Sequence, residues 1–163
     1  MYLLAATCVT VDCSRAKAFD YAANLENFAD WFPGVINIAA RDELSTATTG
    51  KEYLETVLVP LRGERSVLIR VVDARAPRRL ITEGDLPLLL PRMEIEFGEN
   101  APRTCTIHWR MLSRNKSTLL RWTVLPAARV IMRRRARLGL RNLQRLLEGG
   151  TSTAHAASCD PVR

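Results

Sequence analysis

The stretch Pro126-Ala127-Ala128-Arg129-Val130-Ile131-Met132-Arg133-Arg134-Arg135-Ala136-Arg137-Leu138-Gly139-Leu140-Arg141-Asn142-Leu143-Gln144-Arg145-Leu146-Leu147-Glu148 decides how this chain is read. At roughly 100° per residue its apolar side chains gather on one arc: Ala128, Ile131, Met132, Ala136, Leu138, Leu140, Leu143, Leu146 and Leu147. Arg133, Arg134, Arg137, Arg141 and Arg145 fall on the opposite arc, so the segment reads as a long amphipathic helix. Pro126 fits its first turn, where a missing N–H costs nothing. Gly149-Gly150 predicts its end. Three residues interrupt the apolar arc. Arg135 projects inside it, Asn142 lies on the same side two turns later, and Gly139 sits near its centre. A glycine there costs about 1 kcal/mol of helix propensity relative to alanine. Two readings stay open: tight helix–sheet packing with Arg135 snorkelling outward, or a helix that walls a cavity with Arg135 facing an acidic group.

Seven arginines and no acid lie between Arg129 and Leu147, which equals the net charge of +7 for all 163 residues. The remainder of the chain is balanced. A basic excess raises nucleic acid, an anionic membrane or an acidic ligand as partners, but here it is mostly the solvated face of one helix. Composition is otherwise that of a globular domain, with 47% hydrophobic and 25% charged residues. Aromatics are only 6%, which leaves few stacking platforms for single-stranded nucleic acid, and no specific nucleic-acid partner is expected. No run approaches the length of a membrane span. Cys8, Cys13, Cys105 and Cys159 form no C-x-x-C pair, so no metal site is expected and free thiols in a reducing cytoplasm are the simplest reading.

Upstream of the helix the chain reads mainly as strands. Residues 3–12 alternate Thr7, Val9 and Val11 against Cys8, Thr10 and Asp12. Ser14 caps a helix over 15–23, a second short helix fits 25–31, and Pro33-Gly34 turns the chain. Strands then follow at Val35–Asp42, Lys51–Pro60, Glu64–Ala74, Arg79–Gly84, Arg92–Gly98 and Thr104–Leu112. The last two are the clearest. Met93, Ile95 and Phe97 oppose Arg92, Glu94 and Glu96, and Cys105, Ile107, Trp109 and Met111 oppose Thr104, Thr106, His108 and Arg110. Period-two alternation marks an antiparallel sheet with one face in the core and one in water. Residues 116–125 are ambiguous between strand and helix. Residues 1–148 are expected to form one domain, and the small, polar stretch 149–163 a disordered tail.

Strand, two short helices, six antiparallel strands and a long C-terminal helix: this α+β order resembles the helix-grip fold of the START-like (SRPBCC) superfamily. That superfamily includes polyketide cyclases and aromatases, lipid carriers and plant hormone receptors. The resemblance is carried by Val9-Thr10-Val11-Asp12-Cys13-Ser14, by Ala18-Phe19-Asp20-Tyr21, by Asn24-Leu25-Glu26-Asn27-Phe28-Ala29-Asp30-Trp31-Phe32-Pro33-Gly34-Val35, and by the closing Leu140–Glu148. It spans about residues 3–148. It implies a curved sheet of about seven strands wrapped around the long helix, with an apolar cavity between them. The lining so implied is Met93, Phe97, Cys105, Ile107, Trp109 and Met111 from the sheet and Met132, Arg135, Gly139 and Leu143 from the helix, with Trp31 and Phe32 at the mouth. Each of these could equally be ordinary core.

Catalytic motifs are sparse. His108 takes the polar parity of its strand and His155 falls in the tail, and no H-E-x-x-H, P-loop or G-x-G-x-x-G occurs. Glu55 shares parity with Tyr53, Val57 and Val59 and so is a candidate inward carboxylate; Glu83, two residues after Ile81, is another. Such a group would act as general acid or base, or would pair with Arg135 or Arg70 structurally. Three functions follow. The first is binding or transport of a hydrophobic small molecule, such as a lipid, polyketide or isoprenoid, without cofactor. The second is a polyketide cyclase type of enzyme using Glu55, Arg135 and Tyr53. The third is contact with an anionic surface through the arginine face. A homodimer through a sheet edge or the outer helix face stays open.

Overall fold

In a computed structural model, which describes residues 1–152, seven strands form one antiparallel sheet: β1 (Tyr2–Val11), β2 (Val35–Ala40), β3 (Glu52–Val59), β4 (Gly63–Arg75), β5 (Arg79–Gly84), β6 (Pro91–Ala101) and β7 (Thr104–Ser113). Their spatial order is β1-β7-β6-β5-β4-β3-β2, so the first two strands form the two edges. The register slips in β1, β2, β4 and β6, at Leu3/Ala5, Val35/Asn37, Val71/Asp73 and Glu99/Ala101. Such irregularities bend strands and help curve the sheet. Between β1 and β2 run α1 (Arg15–Ala23), a 3₁₀ turn (Leu25–Asn27) and α2 (Phe28–Trp31). Ser14 caps α1, accepting from the Lys17 amide at 3.3 Å. After β7 come α3 (Thr118–Trp122) and the long α4 (Val124–Ser152). The fold is the helix grip expected.

The alternation in β6 and β7 holds residue by residue. Met93, Ile95, Phe97, Cys105, Ile107, Trp109 and Met111 are all buried on the concave face. On the convex face Arg92 and Arg110 bond Glu94 at 2.8 Å each, and Arg92 bonds Glu83 at 2.6 Å. Glu83 therefore does not point inward, nor does it pair with Arg135 or Arg70. Leu80, Thr82 and Gly84 hold the inward parity of β5, and Glu83 lies outside between Arg92 and Arg114. Arg70 pairs with Glu52 instead.

The ambiguous stretch 116–125 resolves as α3 and the start of α4. The long helix begins two residues before Pro126 and continues past Gly149 to Ser152, beyond the predicted stop. Glycine lowers helix propensity without forbidding the conformation, and adding a turn to an existing helix is far easier than starting one. The remainder of the expected tail, with His155 and Cys159, lies outside the described residues.

Helix α4 packs along β1, where Gln144 Nε2 donates to the Thr10 carbonyl at 3.1 Å, and α1 reaches the helix through Lys17 Nζ, which donates to the Leu147 carbonyl at 3.2 Å. Leu140, Leu143 and Leu147 are the buried anchors of the second half of α4, each contributing about 1.5–3 kcal/mol by burial. Together with α1 and α2 they fill one end of the concave sheet. Phe19 meets Phe97 edge-on with ring centroids 5.4 Å apart, and Phe32 lies against Trp109 at 5.3 Å. The other end of the concavity is not filled.

A candidate ligand cavity between sheet and helix

The unfilled end is an apolar cavity of about 550 Å³. Its floor is Val67 and Ile69 of β4, Met93 of β6 and Met111 of β7, and its roof is Ala128, Ile131, Met132 and Arg135 of α4. Phe28 and Phe32 close it on the packed side. The turn from Leu58 to Arg62 and the loop from Leu86 to Leu89 frame its opening.

Of the residues proposed from sequence, the cavity brings together Phe32, Met93, Met111, Met132 and Arg135, and also Glu55. Phe97, Cys105, Ile107, Trp109, Gly139 and Leu143 are buried deeper, in the packed end. Trp31 is buried there too, its ring edge-on to Phe28 at 4.8 Å, and not at the mouth. Strand parity says which face a side chain occupies. It does not say how far along the strand the covering helices reach, and that distance separates core from cavity here.

Polar groups on this surface are few. Glu55 on β3 has Ile38 and Val67 as cross-strand neighbours, both buried. The Glu55 side chain makes no hydrogen bond or ion pair among the described residues, and burial pushes its carboxyl up to about 7 while the Arg135 cation pulls it down. Tyr53, two residues earlier, is fully buried and outside the lining. Burial raises its phenol to about 12, so it is a poor proton donor at neutral pH. Thr82 of β5 adds a hydroxyl to the lining.

Arg135 enters from α4. Its Nη2 donates to the Leu58 carbonyl at 2.9 Å, and the Leu58 amide donates to the Gly34 carbonyl at 2.7 Å. Gly34 has φ +95°, and a Cβ there would lie 2.5 Å from the guanidinium carbon. The positive φ favours glycine, and any side chain there would push the Arg135 guanidinium from its place. Gly139 lies one turn on from Arg135; a Cβ there would sit 3.0 Å from the Phe32 ring and 3.4 Å from the Trp31 carbonyl. Asn142 Nδ2 donates to that same carbonyl at 3.2 Å. The three residues that interrupt the apolar arc thus all meet the corner Trp31–Gly34. Both sequence readings of the arc meet here: Gly139 packs tightly, while Arg135 walls the cavity that holds Glu55, its guanidinium bonded to a backbone carbonyl.

Several lining residues were not singled out from sequence. Thr82 follows the parity of β5. The run Leu86-Pro87-Leu88-Leu89-Leu90-Pro91 carries the clearer signal, since an apolar loop between prolines needs an apolar surface to face. Elsewhere the chemistry is quiet. Among the described residues no group of three His, Cys, Asp or Glu side chains lies together, and no helix is long and apolar enough to cross a membrane. Cys8, Cys13 and Cys105 are free thiols, and burial raises the pKa of the latter two. His108 is exposed on β7.

Comparison with known proteins agrees with this architecture. No curated protein matches the chain. A solution structure from Thermobifida fusca superposes with a TM-score of 0.67 at 19% identity, over 88% of this chain and 91% of that one. A di-domain ARO/CYC protein of the steffimycin biosynthetic pathway gives a TM-score of 0.66 at 11% identity, over 90% of this chain and 51% of that one, so this chain spans about half its length. A START superfamily protein from Mycobacterium smegmatis gives 0.53 at 8% identity, over 82% and 94%. At such identities the likeness is one of fold alone. The family model described as "Polyketide cyclase / dehydrase and lipid transport" matches residues 5–148, nearly the whole helix grip, and the chain belongs to that START-like family.

Proposed function

We propose that this protein binds a hydrophobic small molecule of the lipid, polyketide or isoprenoid kind in the cavity between sheet and α4. The observation that carries the reading is the cavity: about 550 Å³, open at one end and lined almost entirely by apolar side chains. That volume lies within the range of pockets that take small organic ligands, which bind by apolar burial and are oriented by a few polar groups. Glu55, Thr82 and Arg135 in the interior, with Arg62 and Arg65 from the β3–β4 hairpin, supply those groups. A ligand with an apolar body and one hydrogen-bonding end fits them. Native mass spectrometry of gently purified protein tests this. Bound or acquired amphiphile is the expected result, and protein that neither carries nor takes up any ligand would sink it.

Glu55 favours a second reading as an enzyme. A carboxyl near pKa 7, unpaired and facing an apolar cavity, can both give and take a proton at neutral pH. In a cyclase it would move a proton on a reactive poly-β-keto chain held by the cavity walls, with the Arg135 cation stabilising enolate charge. Glu55→Gln then abolishes turnover of a poly-β-keto thioester while ligand binding persists. Turnover that survives the substitution removes Glu55 from this role.

A further inference from the structure

One end of the molecule differs from the rest. Strand β4 pairs with β5 only from Ile69 onward, so Gly63–Leu68 and the β3–β4 turn overhang the sheet beside the cavity mouth. At the tip of that overhang Leu61 is wholly exposed, with a positive φ of 64°. The starts of β1 and β6 and the end of β7 lie at this same end, since Tyr2 and Pro91 both pair with Ser113. So do α3 and the first turn of α4. On α3, Leu119 and Trp122 are 72% and 78% exposed. Val124, two residues beyond Trp122, lines the cavity and is itself partly exposed. Of these, Leu61 and Val124 line the cavity, while Trp122 stands beside Tyr2 and Arg121; large apolar side chains exposed together at one end of a molecule mark a contact surface.

The charge at this end is equally one-sided. Arg62 and Arg65 follow Leu61, Lys116 and Arg121 flank Leu119, and no acid occurs from Lys116 to Leu147. The guanidinium groups of Arg121 and Arg129 both lie about 6 Å from the Tyr2 ring centroid. The acids nearby are Glu64, Asp85, Glu83 and, inside the cavity, Glu55; Asp85 pairs with Arg114 at 3.7 Å, and Glu83 is held by Arg92 and Arg114. The far end of the molecule is mixed, with Asp73, Glu96 and Glu99 among its arginines.

We propose that this end docks on an anionic lipid leaflet, with Leu61 and Trp122 entering the interface and Arg62, Arg65, Lys116 and Arg121 meeting the headgroups. Tryptophan and leucine favour that boundary. Each cation near an anionic leaflet adds an attraction that a neutral surface would not give. The consequence that the cavity opens directly onto the membrane rests on the ligand reading above; the docking itself does not.

Tryptophan fluorescence isolates the event, because Trp31 and Trp109 are fully buried and Trp122 is not. The protein is mixed with vesicles of phosphatidylcholine, with or without phosphatidylglycerol, and followed by co-sedimentation and emission. The expected result is sedimentation with the anionic vesicles, weakened by salt, and a blue shift of Trp122 that brominated acyl chains quench. Trp122→Phe loses the shift but still sediments. Leu61→Asp lowers partitioning about tenfold or more, and Arg121→Glu lowers it roughly tenfold; circular dichroism checks each fold, and Arg121→Glu carries the test if Leu61→Asp misfolds. Absence of sedimentation at low salt overturns the proposal. So does sedimentation without a Trp122 shift, which would assign the contact to the outer arginine face of α4. A concentration-dependent dimer that Leu61→Asp dissolves, with no vesicle binding, assigns the surface to a second copy and overturns it also. Uptake of a fluorescent fatty acid, measured without vesicles, fails or succeeds separately and reports on the cavity alone.

Discussion

Glu55 is the side chain whose surroundings depart furthest from what its chemistry prefers. A carboxylate between Ile38 and Val67 has lost most of its hydration, and the Arg135 cation offsets only part of that loss. Because its folded-state value of about 7 lies above the ordinary 4.5, the folded protein holds this proton more tightly than the unfolded chain does. The stability so contributed is present in full below about pH 4.5 and is lost as pH rises through about 7. The span amounts to roughly 3 kcal/mol at most. Glu55→Gln removes this dependence, and chemical denaturation across that window is expected to show a flatter profile and a variant more stable than the parent above neutrality. A parent and variant that decline in parallel would mean that water reaches the carboxylate freely. Strand parity sufficed to place Glu55 inward. It did not suffice for Glu83, because the partners that hold Glu83 outside, Arg92 and Arg114, come from β6 and from beyond β7.

At the scale of elements, α4 does more than cover the sheet. Arg135, Gly139 and Asn142 grip the corner Trp31–Gly34, and that corner carries Phe32 into the cavity wall. Phe32 has little room to retreat, stacked on Phe28 at 4.8 Å and backed by Trp109 at 5.3 Å. Gly139→Leu is therefore expected to destabilise by about 1–3 kcal/mol through overpacking, despite its better helix propensity, and thermal denaturation would register it as a lowered Tm. A variant as stable as the parent would show that α2 can move off the helix. The helix and its arc were legible from spacing alone. The purpose of its three interruptions was not, since each answers to a residue more than 75 positions away.

For the whole molecule, the proposed function turns on the contrast between a packed end and a hollow one. The hollow end predicts unusual tolerance. Ile69→Trp adds bulk where the interior is empty, so its cost is expected to stay at about 1 kcal/mol or less, no more than the low end of the range for overpacked cores, while ligand uptake falls below detection. Thermal denaturation with and without a fluorescent fatty acid checks both halves; severe destabilisation, or undiminished uptake, would contradict the assigned cavity. The amino-acid sequence by itself determined the seven strands, the inward face of β6 and β7, and the amphipathic helix that closes the domain, but not the type of 116–125. Those follow from local rules, the two- and 3.6-residue periods, that need no partner to be read. Only the tertiary structure decided that Trp109 and Phe97 are core while Met93 and Met111 line a cavity, although all four share one face of the sheet. Position along a strand acquires meaning only when α1, α2 and α4 come to rest over part of it, and how far they reach is set by contacts such as Gly139 against Phe32 between residues far apart in the chain.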